Sequence, residues 1–175
     1  MILLPGVAAF LLFVLFDLNK IQWHRRFLNL FFALGGLLLI GSTVLCILAS
    51  DLSDFVWHAG TVLGLIACAA SAAGMVYALF FALPFQDTYT QGHDVPVIST
   101  GLYGLCRHPA FWPMLALYVL LWLTFGGCWL LAATVLYPLC NLLYIYIQDR
   151  WIFPQYIRGY HDYQKQVPFL IPRRK

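Results

Sequence analysis

Long apolar runs separated by short polar connections dominate this chain. Crossing ~30 Å of hydrocarbon at 1.5 Å per helical residue takes about 20 residues. The runs extend from Ile2 to Leu18, from Phe27 to Ala49, from Phe55 to Phe85, from Ala110 to Phe125 and from Trp129 to Ile147. The last two are joined by Gly126 and Gly127, a tight turn. After Ile147 the pattern changes. Ile152, Tyr156, Tyr160, Tyr163 and Val167 recur at three- and four-residue steps, whereas Gln155, Arg158, Asp162 and Lys165 fall between them. That period predicts an amphipathic helix, begun or kinked by Pro154, which lies on the membrane interface or folds back over the preceding loop. On pattern alone the surface helix is the simpler of the two. The expected fold is all-α: a polytopic membrane helical bundle of about five transmembrane helices plus a C-terminal amphipathic interfacial helix. No hydrophilic stretch is long enough for a second domain. Residues 1–175 therefore read as a single membrane domain, with the N-terminal spans in 1–85 and the chemically richer part in 86–175.

Charge placement tests this map and orients it. Lys20, Arg25 and Arg26 lie between the first two runs, Arg107 precedes the fourth, and the remaining basic residues follow the fifth. The Asp51–Asp54 connection and the Gly126–Gly127 turn carry none. All ten Lys and Arg thus fall on one side of the bilayer. Basic residues favour the cytoplasmic face, so the N-terminus is expected outside and the C-terminus in the cytoplasm.

Composition agrees: 62% of residues are hydrophobic, 10% are charged, and the mean hydropathy is +0.81. A soluble domain carries roughly a quarter charged residues. The formal charge of +3 is too small and scattered for a nucleic-acid partner, and no obligate protein partner is evident. The bilayer itself is the expected partner. Cys46, Cys68, Cys106, Cys128 and Cys140 form no CxxC pair and read as small packing residues, with no metal site. Gly60, Gly64 and Cys68, then Ala70, Gly74 and Ala78, recur at four-residue spacing along the third run, as helices that approach closely in lipid require. Packing within the bundle explains this stripe more simply than a dimer seam. His58 and Asn141 read as interhelical hydrogen-bond partners.

Chemistry gathers on the cytoplasmic side. The loop from Gln86 to His108 is polar, and Pro109 suits the first turn of the fourth span. His108 then falls near the N-cap, where Arg107 and the positive helix end favour an anion. The fifth span returns to the same side and ends in Gln148 and Asp149, where a cationic group is favoured. Adjacent helix ends would together suit a zwitterion such as an amino-acid moiety. A lipid headgroup is an equally natural contact for Arg107, and His108 is the evident general-base candidate, with capping as its simpler role.

Taken in order, Gly101-x-Tyr103-x-x-x-Arg107-His108-Pro109-x-Phe111, a pair of spans, and Tyr160-x-x-Tyr163-x-x-x-Val167-Pro168 form a pattern. It resembles the isoprenylcysteine carboxyl methyltransferase and phospholipid methyltransferase superfamily over roughly residues 74 to 172. The resemblance implies an integral membrane methyltransferase that takes a methyl group from S-adenosylmethionine on the cytoplasmic side. The acceptor it implies is lipophilic or lipidated, an isoprenylcysteine-like molecule or a lipid, and enters from the bilayer. It also implies that Val95, Pro96, Val97 and Ile98 line the cofactor together with Tyr103, His108, Pro109, Ala110 and Phe111. Arg107, His108 and Asp149 are the expected catalytic residues, and Tyr144 and Gln148 the expected substrate contacts.

The chain departs from the family pattern at that end. Gln148-Asp149 stands for the usual Glu-Glu, Tyr144 for an Arg one turn earlier, and Val95 for a His, with His93 two residues upstream; Phe111 replaces a Tyr. These changes keep the cofactor shell better than the carboxylate-recognising end. The alternatives are a non-catalytic relative that kept the scaffold and a membrane NADPH-dependent reductase with a similar Arg-His-Pro region.

Overall fold

The computed structural model describes residues 1–50, 56–82 and 95–173. The Asp51–Asp54 connection, the far end of the third run, residues 86–94 with His93, and Arg174 and Lys175 lie outside the described residues.

The chain is mostly helical. Helix α1 (Leu4–Leu18) begins with Pro5 in its first turn, where a missing N–H costs nothing, and continues as a π-helical turn, Asn19–Trp23. It stops at His24, whose φ of 53° is left-handed. The Asn19 side chain holds that reversal, donating to the Arg25 carbonyl at 3.0 Å and accepting from the Arg25 N–H at 2.8 Å. A 3-10 turn, Arg26–Asn29, leads into α2 (Leu30–Leu48).

Helix α3 (Ala59–Val76) continues through Tyr77–Phe81. His58, expected to bond between helices, instead caps this one. Its backbone is extended just before the first turn, so Nδ1 folds back to accept from the N–H groups of Gly60 and Thr61 at 3.0 and 3.2 Å. Thr61 Oγ1 returns the contact by accepting from the His58 N–H.

A short α4 (Leu102–Leu105) precedes α5 (Phe111–Phe125), and α6 (Cys128–Ile147) follows at once. The reversal between them uses Gly126 and Gly127 at φ 70° and 84°, and a side chain on Gly127 would collide with Ser50.

Among the described residues, four helices are long and apolar enough to cross a membrane: Leu4–Trp23, Arg26–Leu48, Ala59–Phe81 and Cys128–Tyr156. The fifth apolar helix, α5, has 15 residues, about 22 Å at 1.5 Å each. Leu34, Leu37, Ile40, Leu63 and Ile66 stand exposed on the bundle exterior, as a lipid solvent permits.

In the bundle α1 packs against α2 and α6, α6 against α5, and α5 against α3. The core joins Phe10, Cys46, Met114, Tyr118, Leu130 and Tyr137. Lipid gives little drive to bury apolar faces, so close approach and polar pairs set these contacts. Ser42 Oγ donates to the Ile2 carbonyl and pairs with Tyr137, while Thr43 pairs with Tyr118 at 2.8 Å. The small-residue stripe on α3 serves packing within the chain: a Cβ on Gly64 would overlap Thr124 of α5. The cysteines are free.

Beyond α6 the helix loosens into a π turn, Gln148–Ile152, followed by α7 (Phe153–Tyr156) and α8 (Tyr160–Gln166). The continuous amphipathic helix expected here is therefore divided. Pro154 sits in the first turn of α7, and Gly159 turns left-handed at φ 79°. Between them Ile157–Arg158 (β2) pairs in parallel with Val95–Pro96 (β1). The apolar positions of the period are nonetheless the buried ones. Ile152, Tyr156, Tyr160, Tyr163 and Val167 all face inward, and the tail lies back over the segment before α5.

Candidate functional site

Arg107 lies between α4 and α5, held there by its backbone N–H donating to the Pro168 carbonyl at 3.0 Å. Asp149 lies just past the end of α6. The α5–α6 hairpin brings them together. Arg107 Nη2 donates to Asp149 Oδ2 at 3.0 Å, and Nε lies 2.9 Å from Oδ1. The remaining guanidinium nitrogen, Nη1, donates to the carbonyls of Gln164 and Val167. Asp149 also accepts from Tyr160 Oη at 2.6 Å, and Gln164 Nε2 donates to its backbone carbonyl at 2.7 Å. Both charged side chains are only 10% exposed.

A buried ion pair of this kind persists because its lone pairs and protons are nearly all satisfied. Two atoms are exceptions. Arg107 Nε and His108 Nε2 are buried without a well-aligned acceptor, although both face Asp149 Oδ1.

His108 does not cap α5 with its side chain. Its carbonyl accepts from the Phe111 N–H at 3.3 Å, while the imidazole is buried, stacked on Phe153 and edge-on to Phe169. Burial holds the imidazole below its usual pKa, against the opposing pull of Asp149 3.5 Å away. Burial pushes the Tyr160 phenol up, and the Asp149 carboxylate beside it adds to the shift. Burial likewise raises the Tyr163 phenol and the Cys106 thiol. Tyr163 Oη spends its proton on the Tyr103 carbonyl at 2.6 Å.

The residues expected to line a cofactor gather only in part. Val97 packs on Tyr160, Tyr163 and Val167, and its N–H donates to the Arg158 carbonyl. Val95 and Pro96 contribute backbone to the two-residue strand, and Ile98 is half-buried beyond it. Tyr103 Oη donates to the Ala78 carbonyl at 3.0 Å, tying α4 to the turn that continues α3. Pro109 and Ala110 form the turn into α5, and Phe111 is buried against Trp112.

Tyr144 and Gln148 turn elsewhere. Tyr144 Oη and Gln148 Nε2 both donate to Asp17 Oδ2 of α1, each at 2.7 Å. The expected site thus divides into an Arg107–His108–Asp149 cluster under the tail and a Tyr144–Gln148–Asp17 cluster between α1 and α6. The signal for Asp17 was a charge kept within an apolar run. Gln164, Phe153 and Phe169 gave no comparable signal, since their part depends on where the tail lands. A surface cleft on the tail, lined by residues including Pro154, Tyr156, Arg158 and Asp162, shares Tyr160 with the first cluster but contains neither Arg107 nor Asp149.

Fold and site together define an α-helical membrane protein with buried ionic chemistry at one end of the bundle. No family model, curated protein or solved structure matches the chain.

Proposed function

We propose that this is an integral membrane methyltransferase that takes its methyl group from S-adenosylmethionine and passes it to a lipophilic acceptor reached from the bilayer. The observation that carries the reading is the convergence of Arg107, His108 and Asp149 in one buried cluster under the tail. The motif resemblance supplies the cofactor. The chemistry of the donor set fits it: a guanidinium suits the amino-acid carboxylate and a carboxylate suits the ammonium. The two groups now satisfy each other, so Arg107 and Asp149 would hold the two ends of a zwitterion only by exchanging their internal pair for it. Arg107 Nε and His108 Nε2, each without an aligned partner, are the donors such a ligand would complete.

When bound, the sulfonium supplies an electrophilic methyl group. The chain supplies alignment and dryness. Tyr160, Tyr163, Val167 and Val97 form an apolar cover over the cluster, and exclusion of water together with fixed geometry is what methyl transfer chiefly needs. His108 is held neutral by burial and is available to accept a proton where the acceptor must lose one.

In this reading the short α5 is the fifth crossing, the N-terminus lies outside, and the tail and its cluster lie in the cytoplasm.

Protein purified in detergent tests the proposal directly. Saturable S-adenosylmethionine binding, weakened at least about tenfold by Arg107→Ala and by Asp149→Ala, is the expected result. Saturable NADPH binding in its place identifies a reductase. Binding of neither identifies a non-catalytic scaffold, a role that the closed Arg107–Asp149 pair also suits.

A further inference from the structure

Arg107 and Asp149 are nearly closed off from solvent, and the surface cleft on the tail reaches neither. The tail helps to shut them in, and the bonds it makes have a definite polarity. To the guanidinium it brings acceptors: the carbonyls of Gln164 and Val167 take Nη1 at 2.8 and 3.2 Å. To the carboxylate it brings donors: Tyr160 Oη reaches Oδ1 at 2.6 Å and Gln164 Nε2 reaches Oδ2 at 3.3 Å. Acceptors on the cation and donors on the anion are what the carboxylate and ammonium of a zwitterion would offer. The tail thus holds the polar positions that such a ligand would take.

Its attachment is that of a separable piece. Tyr160, Tyr163 and Val167 pack with Val97, Phe153 and Ile157 in a small core that, among the described residues, shares no member with the core between the helices. Upstream, Ile157–Arg158 is pinned to Val95–Pro96, and Gly159 follows at φ 79°, a backbone conformation that glycine adopts at no steric cost. Single bonds tie the rest. Tyr163 Oη donates to the Tyr103 carbonyl, Trp112 Nε1 to that of Leu170 at 2.8 Å, and the N–H groups of Arg107 and Arg173 to the carbonyls of Pro168 and Leu105. A segment held by a small apolar core and separate tethers opens at less cost than the bundle unfolds. Gln164 bonds to both members of the ion pair, since its carbonyl takes Arg107 while its amide donates to the Asp149 carbonyl at 2.7 Å and to the carboxylate.

We propose that residues 160–173 form an autoinhibitory lid, lifting about Gly159 with Gln164 as its latch, and that a ligand reaches Arg107 and Asp149 only while the lid is raised. This rests on the reading above that the pair holds a zwitterionic ligand, and it names what governs access to that site.

Phenylglyoxal, a small neutral reagent for guanidinium groups, measures that access without any ligand. The full chain in nanodiscs is treated with it, and modification of Arg107 and of the exposed Arg26 is followed by peptide mass spectrometry. In wild type Arg107 should react far more slowly than Arg26. Gln164→Ala should speed the reaction at Arg107 at least about tenfold. Trp112→Phe removes the bond to Leu170 and leaves those of the ion pair intact. It should still speed Arg107 about threefold or more, because a lid that lifts as a unit is loosened at any tether. Lys165→Ala, which breaks only the exposed pair with Asp162, should leave the rate unchanged. Arg107 as reactive as Arg26 in wild type, an unchanged rate in either tether variant, or an equal gain in Lys165→Ala overturns the proposal. Should one tether variant fail to fold, the other decides. S-adenosylmethionine association, measured on the same discs, should quicken by the factor seen at Arg107. Its failure to bind alongside faster Arg107 modification removes the methyltransferase reading only; binding whose association rate ignores both tether variants removes this one only.

Discussion

At the scale of single residues, the cluster under the tail is governed by what burial does to charge. Arg107 and Asp149 are stable there because each completes the other and because the carbonyls of Gln164 and Val167 use the rest of the guanidinium. Removing one partner of such a pair typically costs about 3–5 kcal/mol, since the other is left charged and alone. His108 shows the opposite response: burial favours its neutral form and lowers its pKa from the ordinary 6.5. The sign of the pH dependence follows. The unfolded chain binds the proton more readily than the folded one, so this group adds stability above pH 6.5 that is lost as pH falls below it. Thermal melts in detergent should therefore show a falling Tm for wild type from pH 7 towards pH 5, and a shallower fall for His108→Gln. Parallel slopes for the two proteins would contradict this account of His108.

At the scale of elements, packing in lipid depends on how closely backbones can approach. Gly64 on α3 has Thr124 of α5 where its Cβ would be, whereas Gly41 on α2 has nothing within 4 Å. Gly64→Ala should lower stability by about 1–3 kcal/mol through overpacking of the α3–α5 seam. Gly41→Ala should be neutral or slightly stabilising, because alanine restricts the backbone and meets open space. Melting both variants beside wild type checks the contrast, and similar losses in the two would mean that the seam is not what the glycine serves. The tail obeys a different logic. Its apolar period read correctly as to which residues are buried, yet the period describes one helix and the chain forms two, because Gly159 turns left-handed and Ile157–Arg158 pairs with Val95–Pro96. Periodicity reports faces; it does not report long-range strand pairing.

At the scale of the whole molecule, counting α5 as a fifth crossing puts every Lys and Arg on one side of the bilayer, which predicts an orientation. Reporter fusions at Lys175 should be active only in the cytoplasm, and a cysteine introduced near Met1 should react with an impermeant reagent from outside. Termini found on the same side would mean that α5, about 22 Å long, does not cross. The consequence would reach the site, since Arg107 and Asp149 meet only because α5 and α6 form a hairpin that returns to one face.

What the sequence by itself determined is the class of fold and the residues that turn inward. Long apolar runs can satisfy their backbone in lipid only as helices, and a three- and four-residue period marks a buried stripe whatever it packs against. It also marked Arg107, His108 and Asp149 as belonging together, because a tight turn between two helices of similar length returns the far end of the second beside the start of the first. Only the tertiary structure decided that Arg107 and Asp149 neutralise each other, that His108 packs between rings and leaves α5 uncapped, and that Tyr144 and Gln148 turn to Asp17 more than a hundred positions away in the chain. Hydrophobic pattern is a local property, legible over a few turns of helix. The choice of partner for a buried charge depends on which other charge the finished bundle brings within reach, and that choice exists only once the helices are in place.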